Sequence, residues 1–292
     1  MNRRLKVAVM LQAGADGTAA GTREQARHAE QLRLDGIFVG DHLKPAGPYP
    51  ESTVVLAAAA AVTERIHVGF GVMVLALRDP AWAAKQLATL QHVSGGRVVL
   101  GVGTGGAMHG TEAWEAVGVP YAERGRRTDQ ALALLPGLIR GETVELPSGA
   151  SITLSPGADV PPILIGGNSP AALRRAGRHR AGWFSSVITP QRVADGVRLL
   201  PDTAEIAVGC VALLGADATD PRIDAFVAAL SDSHGIPAAE AADVPITGTP
   251  AQAAERFEAY ADAGATWLVL TTIGVDWHAQ WELIAEAVAL LD

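Results

Sequence analysis

The chain has 292 residues, of which 49% are hydrophobic and 18% charged, and a formal net charge of −8. These values exclude a disordered chain, which has too little apolar content to build a core, and argue against nucleic acid as the main partner. A single cysteine, Cys210, excludes an internal disulfide and a cysteine-based metal cluster.

The apolar run that follows Arg3, Arg4 and Lys6 is interrupted after Leu11, too soon for a signal peptide. The longest uncharged apolar stretch, Val54–Val62, falls below membrane-spanning length. The expectation is a cytoplasmic protein with no membrane or nucleic-acid partner, read as one domain over residues 1–292.

Strand-like runs begin near Leu5, Gly36, Ile66 and Arg97. They lie roughly thirty residues apart, the size of one strand–helix unit. Helical patterns fill the gaps at Thr22–Arg33, Ser52–Thr63 and Ala81–Val93. Ile66–Val74 is β-branched, apolar and broken by glycine, which suits a strand buried on both faces. Arg78-Asp79-Pro80 ends it, with Pro80 where a helix begins. Ser94-Gly95-Gly96 stops that helix, and Arg97–Gly103 runs directly into Thr104-Gly105-Gly106.

A longer stretch follows, with a helix at Glu123–Arg140 and a short hairpin pairing Thr143–Leu146 with Ser151–Leu154. Strands then return at Pro162–Ile165, Gly182–Ser185, Glu205–Leu213 and Thr266–Leu270. Helices lie at Ser169–Arg178, Pro190–Leu200, Pro221–Ser233, Pro250–Ala263 and Trp277–Leu291.

Eight strands, each followed by helix, predict an α/β fold with a parallel sheet. The count and length fit a (β/α)8 TIM barrel with an insertion between strands four and five. Gly101, Gly103 and Gly106 also satisfy a G-x-G-x-x-G dinucleotide pattern. That pattern requires an acidic residue ending a second strand about 20 residues on, and no strand lies in Ala116–Arg127.

In such a barrel the C-terminal strand ends supply the site. They offer Gln12, Gly40-Asp41-His42, the Gly69–Val74 strand, Gly103–Gly106, Gly166-Gly167-Asn168-Ser169, Ser185-Ser186 and Thr271-Thr272. This set has one imidazole, one carboxylate and much bare backbone. No His/Asp/Glu spacing resembles a ligand set, so no metal is expected, and no serine sits in a nucleophile elbow. Backbone donors with few reactive side chains suit a protein that holds a cofactor.

Gly166-Gly167-Asn168-Ser169-Pro170 follows a strand and opens a helix, the arrangement of an anion cradle. Arg174, Arg175, Arg178, His179 and Arg180 lie just beyond it and, as a set, would steer a polyanion. Cys210 reads as a buried hydrophobe, and histidines other than His42 have no assigned role.

The segments Asp35–His42, Thr63–Gly69, Arg78-Asp79-Pro80, Gly95-Gly96-Arg97 and Leu100–Gly105 resemble the luciferase-like monooxygenase superfamily. So do Ile165–Ser169, Gly182-Trp183, Gly248-Thr249-Pro250 and Asp262–Ala265. Within that superfamily the chain is most similar to oxidoreductases that use the deazaflavin coenzyme F420.

The resemblance implies a barrel that binds F420, or alternatively FMN, at its C-terminal mouth, and a homodimer. It places Asp41 and His42 beside the tricyclic ring and a non-prolyl cis peptide at Gly71-Val72 against it. It assigns Gly103, Thr104 and Gly105 to the ring's polar edge and Gly166, Gly167, Asn168 and Ser169 to the phosphate.

Some sugar-phosphate dehydrogenases of the group carry a proton-donating glutamate after the Gly-Thr-Gly turn; here that position is Gly106. The expected activity is hydride transfer between F420 and a small organic substrate, with His42 as acid/base and Asp41 orienting it or bonding the ring. An FMN-dependent monooxygenase and a flavin- or deazaflavin-binding protein without turnover are the alternatives. The loops Lys44–Glu51, Met108–Val119 and Asp232–Pro245 are read as forming the mouth, where Tyr49, Trp114, Tyr121 and Trp277 suggest an apolar or planar substrate.

Overall fold

A computed structural model describes residues 4–12, 19, 21–45, 47–106, 110–215, 220–234, 236–273 and 276–291. The elements are, in order, β1 (Lys6–Met10), α1 (Thr22–Gln31), β2 (Gly36–Val39), α2 (Ser52–Ala60), β3 (His67–Val74), α3 (Pro80–Ser94) and β4 (Val98–Gly103). An insertion follows, made of α4 (Glu112–Ala116), α5 (Arg124–Arg140) and an antiparallel hairpin of β5 (Thr143–Glu145) and β6 (Ser151–Thr153). The alternation resumes with β7 (Ile163–Gly166), α6 (Pro170–His179), β8 (Gly182–Ser186), α7 (Pro190–Val197) and β9 (Ile206–Leu214). It closes with α8 (Pro221–His234), α9 (Ala238–Ala242), β10 (Ile246–Gly248), α10 (Pro250–Asp262), β11 (Trp267–Thr272) and α11 (Trp277–Val288).

Eight strands pair in parallel around a ring, β1-β2-β3-β4-β7-β8-β9-β11, and β11 returns to β1 through Lys6↔Trp267 to Val9↔Leu270. The β8–β9 pairing completes the circuit. The expected barrel and its insertion between the fourth and fifth ring strands are both present. Three elements were not anticipated: short β10 extends β9 beyond the ring, and α4 lies within Met108–Val119 and α9 within Asp232–Pro245, both read above as loops. There Ala241 and Val244 pack on Leu230 in a small separate apolar cluster.

Local chemistry sets the helix starts. Pro80, Pro170, Pro190 and Pro250 each open a helix, and the side chains of Asp79, Ser169, Thr189 and Thr249 just before them accept backbone N–H groups of the first turn. α3 and α5 stop at Gly95 and Gly141 in left-handed conformation.

The core has two layers. Outside the strands, Val7, Val9, Ile37 and Leu268 meet helix residues such as Ala26, Leu56, Leu87 and Ile284. Inside, the ring of Phe38 stands edge-on to both Phe184 and Trp267, with centroids 5.8 Å apart in each pair. A Cβ at position 69 would lie 2.2 Å from Cε1 of Phe38, so only glycine leaves room for that plug. The aromatic plug fills the barrel below its mouth.

Candidate functional site at the barrel mouth

Two cavities meet at the C-terminal rim. The larger, ≈ 420 Å³, lies between the loops after β2 and β4 and is walled by His42, Leu43, Val74, Leu77, Ala113 and Trp114 among others. The smaller, ≈ 200 Å³, sits over the barrel axis between Met10, Gly166, Phe184, Gly209 and Thr271. Gly71, Val72 and Ser186 border both.

The peptide bond Gly71–Val72 is cis. The β3–β4 ladder is irregular at this point: Phe70 pairs with Leu100 and the next pair is Met73 with Val102. The Val72 side chain rests in a seat of glycines. A Cβ at Gly101 would lie 2.8 Å from its Cγ1, one at Gly103 2.6 Å from its Cγ2, and one at Gly166 3.1 Å from its Cγ1. Gly103 and Gly166 therefore make room for a neighbouring side chain, a role that the sequence alone did not separate from ligand contact. Gly105 is left-handed (φ +71), and a Cβ there would lie 2.6 Å from Trp114. Gly106 is exposed, with open space where a side chain would project.

Asp41 and His42 both line the larger cavity, yet they point to different work. The Asp41 carboxylate is buried and accepts from Arg78 through two bonds, from Ser52 Oγ at 2.8 Å and from Val74 N at 2.8 Å. With those four bonds Asp41 braces the loop. His42 is exposed to the cleft, edge-on to Tyr49 with ring centroids 5.2 Å apart. Tyr49 in turn accepts from Gly40 N at 3.0 Å, and burial holds its phenol above the ordinary value. Across the mouth, Lys44 Nζ donates to Glu112 Oε1 at 2.8 Å, linking the loop after β2 to the start of α4.

The anion cradle is partly committed. Gly167 N donates to Phe184 O, and the Asn168 amide both donates to Ser186 O (2.7 Å) and accepts from Ser186 N (3.1 Å). Ser169 caps α6 through Ala172 N. The backbone N–H groups of Asn168, Ser169 and Ala171 find no acceptor among the described residues, which leaves donors at the positive end of α6.

Three of the five basic residues beyond it are directed elsewhere. Arg175 (2.7 Å), His179 (3.3 Å) and Arg178 (3.6 Å) converge on Asp129 of α5. Their partner lies 46 residues or more upstream, so sequence proximity to the cradle misled.

Of the residues expected at the site, Asp41, His42, Gly71, Val72, Gly105, Gly166 and Gly167 line the two cavities. Gly103, Thr104, Asn168 and Ser169 border the rim without lining either. Trp114 walls the larger cavity, whereas Trp277 packs against Trp281 and His28 on α11 and α1, apart from the mouth. Cys210 is buried, and burial pushes its thiol up to about 12, so it is no nucleophile. His109 lies outside the described residues.

The family model for luciferase-like monooxygenases matches residues 5–210. An uncharacterized protein of Mycobacterium tuberculosis (strain ATCC 25618 / H37Rv) is 41% identical over 144 residues, 47% of this chain and 48% of that protein. An F420-dependent glucose-6-phosphate dehydrogenase of Beutenbergia cavernae is 38% identical over 169 residues, 53% of this chain and 49% of the relative. The chain thus spans about half the length of these relatives. A Nocardia farcinica protein of the same name as the latter is 30% identical over 292 residues, covering 85% of this chain and 86% of its own.

Among solved structures, an F420-dependent secondary alcohol dehydrogenase in complex with an F420-acetone adduct superposes with a TM-score of 0.80 at 18% identity over 100% of both chains. The oxygenating constituent of 3,6-diketocamphane monooxygenase in complex with FMN gives 0.77 at 17% identity, covering 99% of this chain and 98% of the other. At these identities the likeness shows the shared fold.

Proposed function

Because the chain belongs to the luciferase-like monooxygenase family, we propose that it is an oxidoreductase that transfers a hydride between coenzyme F420 and a small, neutral organic substrate. The observation that supports this best is the rim itself. Two adjoining cavities share the Gly71–Val72 wall, and among the described residues His42 is the imidazole exposed in the larger one.

The site fits a flat ring carrying a phosphate tail. The axial cavity is bounded by glycine backbone and by Met10 and Phe184, and backbone donors with no acceptor among the described residues stand at the start of α6. The residues that would hold the coenzyme are Gly71, Val72, Gly105, Gly166 and Gly167 in the cavity walls, with Thr104, Asn168 and Ser169 at the rim, while Gly103 seats Val72 and Asp41 braces the loop from behind. Once bound, F420 supplies a carbon that gives or takes a hydride. His42 then takes the hydroxyl proton of an alcohol as it is oxidised, or returns it to a carbonyl as it is reduced. Asp41, held by Arg78, keeps the His42 loop in register. Leu43, Val74, Leu77, Ala113 and Trp114 exclude water from the larger cavity.

The lining also bears on the substrate. Among the described residues its one lysine or arginine, Lys44, is paired with Glu112, and Gly106 supplies no carboxylate. A sugar phosphate is therefore a poor fit, and a neutral alcohol or ketone a good one. A homodimer belongs to the same reading. The test is turnover: F420 reduction followed optically with a panel of neutral alcohols beside glucose 6-phosphate. Reduction by the neutral members supports the proposal. Reduction by the sugar phosphate alone overturns the substrate class, and binding without any turnover favours a carrier.

A further inference from the structure

On the outer face of the barrel, α1 and α11 bring together two imidazoles and a carboxylate. We propose that His28, His278 and Glu282 form a site for a divalent transition-metal ion, zinc in preference to magnesium, that clips the first helix of the barrel to the last.

The nitrogen and oxygen atoms these residues offer all lie within 4.8 Å of one another. His278 and Glu282 stand one helical turn apart on α11, with Nδ1 3.3 Å from Oε1. His28 reaches them from α1, its ring centroid 3.8 Å from that of His278.

A second, independent observation concerns His28 itself. Its Nε2 is buried with no hydrogen-bond partner among the described residues. Such a burial is costly unless something else satisfies the nitrogen. Trp277 and Trp281 flank the ring, at 5.6 Å and 6.4 Å between centroids, and their ring faces supply no lone pair to bond it.

The donor set decides the metal. Two imidazole nitrogens and one carboxylate suit zinc, nickel or copper, whereas magnesium and calcium take oxygen ligands. Three protein ligands leave a fourth position for water. The imidazoles are now nearly parallel, at 22°, so their lone pairs do not yet converge. His278, whose side chain is 49% exposed, is free in space to turn its ring onto the ion, and Glu282 at 52% likewise. None of the three residues lines either cavity at the mouth, so the site is structural and independent of the proposed chemistry.

The experiment is a zinc titration of the purified, metal-stripped protein by calorimetry, with thermal unfolding in parallel and magnesium as control. Saturable binding of a single zinc equivalent and a rise in Tm with zinc but not magnesium are expected. His278→Ala and Glu282→Gln, at exposed positions where the fold tolerates change, each weaken zinc binding by roughly tenfold or more and remove most of the Tm rise. Binding by the double variant equal to that of the parent overturns the site, as does a parent protein with no saturable zinc binding.

Discussion

The guanidinium of Arg78 grips both oxygens of the Asp41 carboxylate, Nη1 to Oδ2 at 2.5 Å and Nη2 to Oδ1 at 2.8 Å. The pair joins the loop after β2 to the segment between β3 and α3, and Ser52 draws in the start of α2. Burial opposes the charge on Arg78, but its bonds to Asp41 and Glu51 outweigh that, and its proton affinity rises.

Breaking this pair leaves a buried charge unpaired. Arg78→Ala is expected to cost roughly 3–5 kcal/mol of stability, read as a lower urea midpoint. Arg78→Lys recovers little, because an ammonium does not reproduce the two-pronged grip. Asp41→Asn lowers the midpoint too, since an amide cannot accept from both prongs and from Ser52 and Val74 together.

His42 behaves differently. It is exposed in the cleft, so His42→Ala leaves the unfolding midpoint near that of the parent. Its absence removes the proton acceptor of the proposed reaction, and kcat falls roughly 10²–10⁴-fold while coenzyme affinity is kept. Steady-state kinetics beside a binding titration separates the two effects. Unchanged turnover removes His42 from the chemistry.

Two glycines of one turn give opposite outcomes. Gly106 faces open space, so Gly106→Glu folds normally and tests whether a carboxylate there brings activity towards a sugar phosphate. Gly103→Ala places a methyl against Val72, which shifts the wall shared by both cavities. It is expected to cost about 1–3 kcal/mol and to weaken coenzyme binding.

Acid weakens the fold through two histidines. Burial lowers the proton affinity of both His67 and His28, while the unfolded chain titrates near the ordinary value of 6.5. Below that pH the unfolded state binds more protons than the folded one, so stability is full above about 6.5 and is lost as pH falls beneath it. Tm measured from pH 7.5 down to 5 should fall, and His67→Gln should flatten part of the fall.

Much of the architecture was legible because local signals carry it. Capping side chains followed by proline mark four helix starts, and β-branched runs mark the ring strands. The glycines at 103 and 166 were read as coenzyme contacts, but a glycine does not say what approaches it, and here the Val72 side chain lies against both.

Partners distant in sequence were not legible at all. Arg78 read as a strand end until the fold set it on Asp41, 37 residues upstream. The arginines after the cradle read as a polyanion guide until α5 supplied Asp129. The same limit hid His28 and His278, which lie at opposite ends of the chain and meet only once the barrel closes.

The central claim is that the two cavities about Gly71–Val72 hold a deazaflavin. Its most direct measurement is a pair of equilibrium titrations of the protein, one with F420 and one with FMN, followed by ligand fluorescence. The account predicts saturable binding of F420 at least tenfold tighter than FMN, a difference of about 1.4 kcal/mol, weakened by Gly103→Ala. Equal or tighter binding of FMN, or no saturable binding of F420, would contradict it.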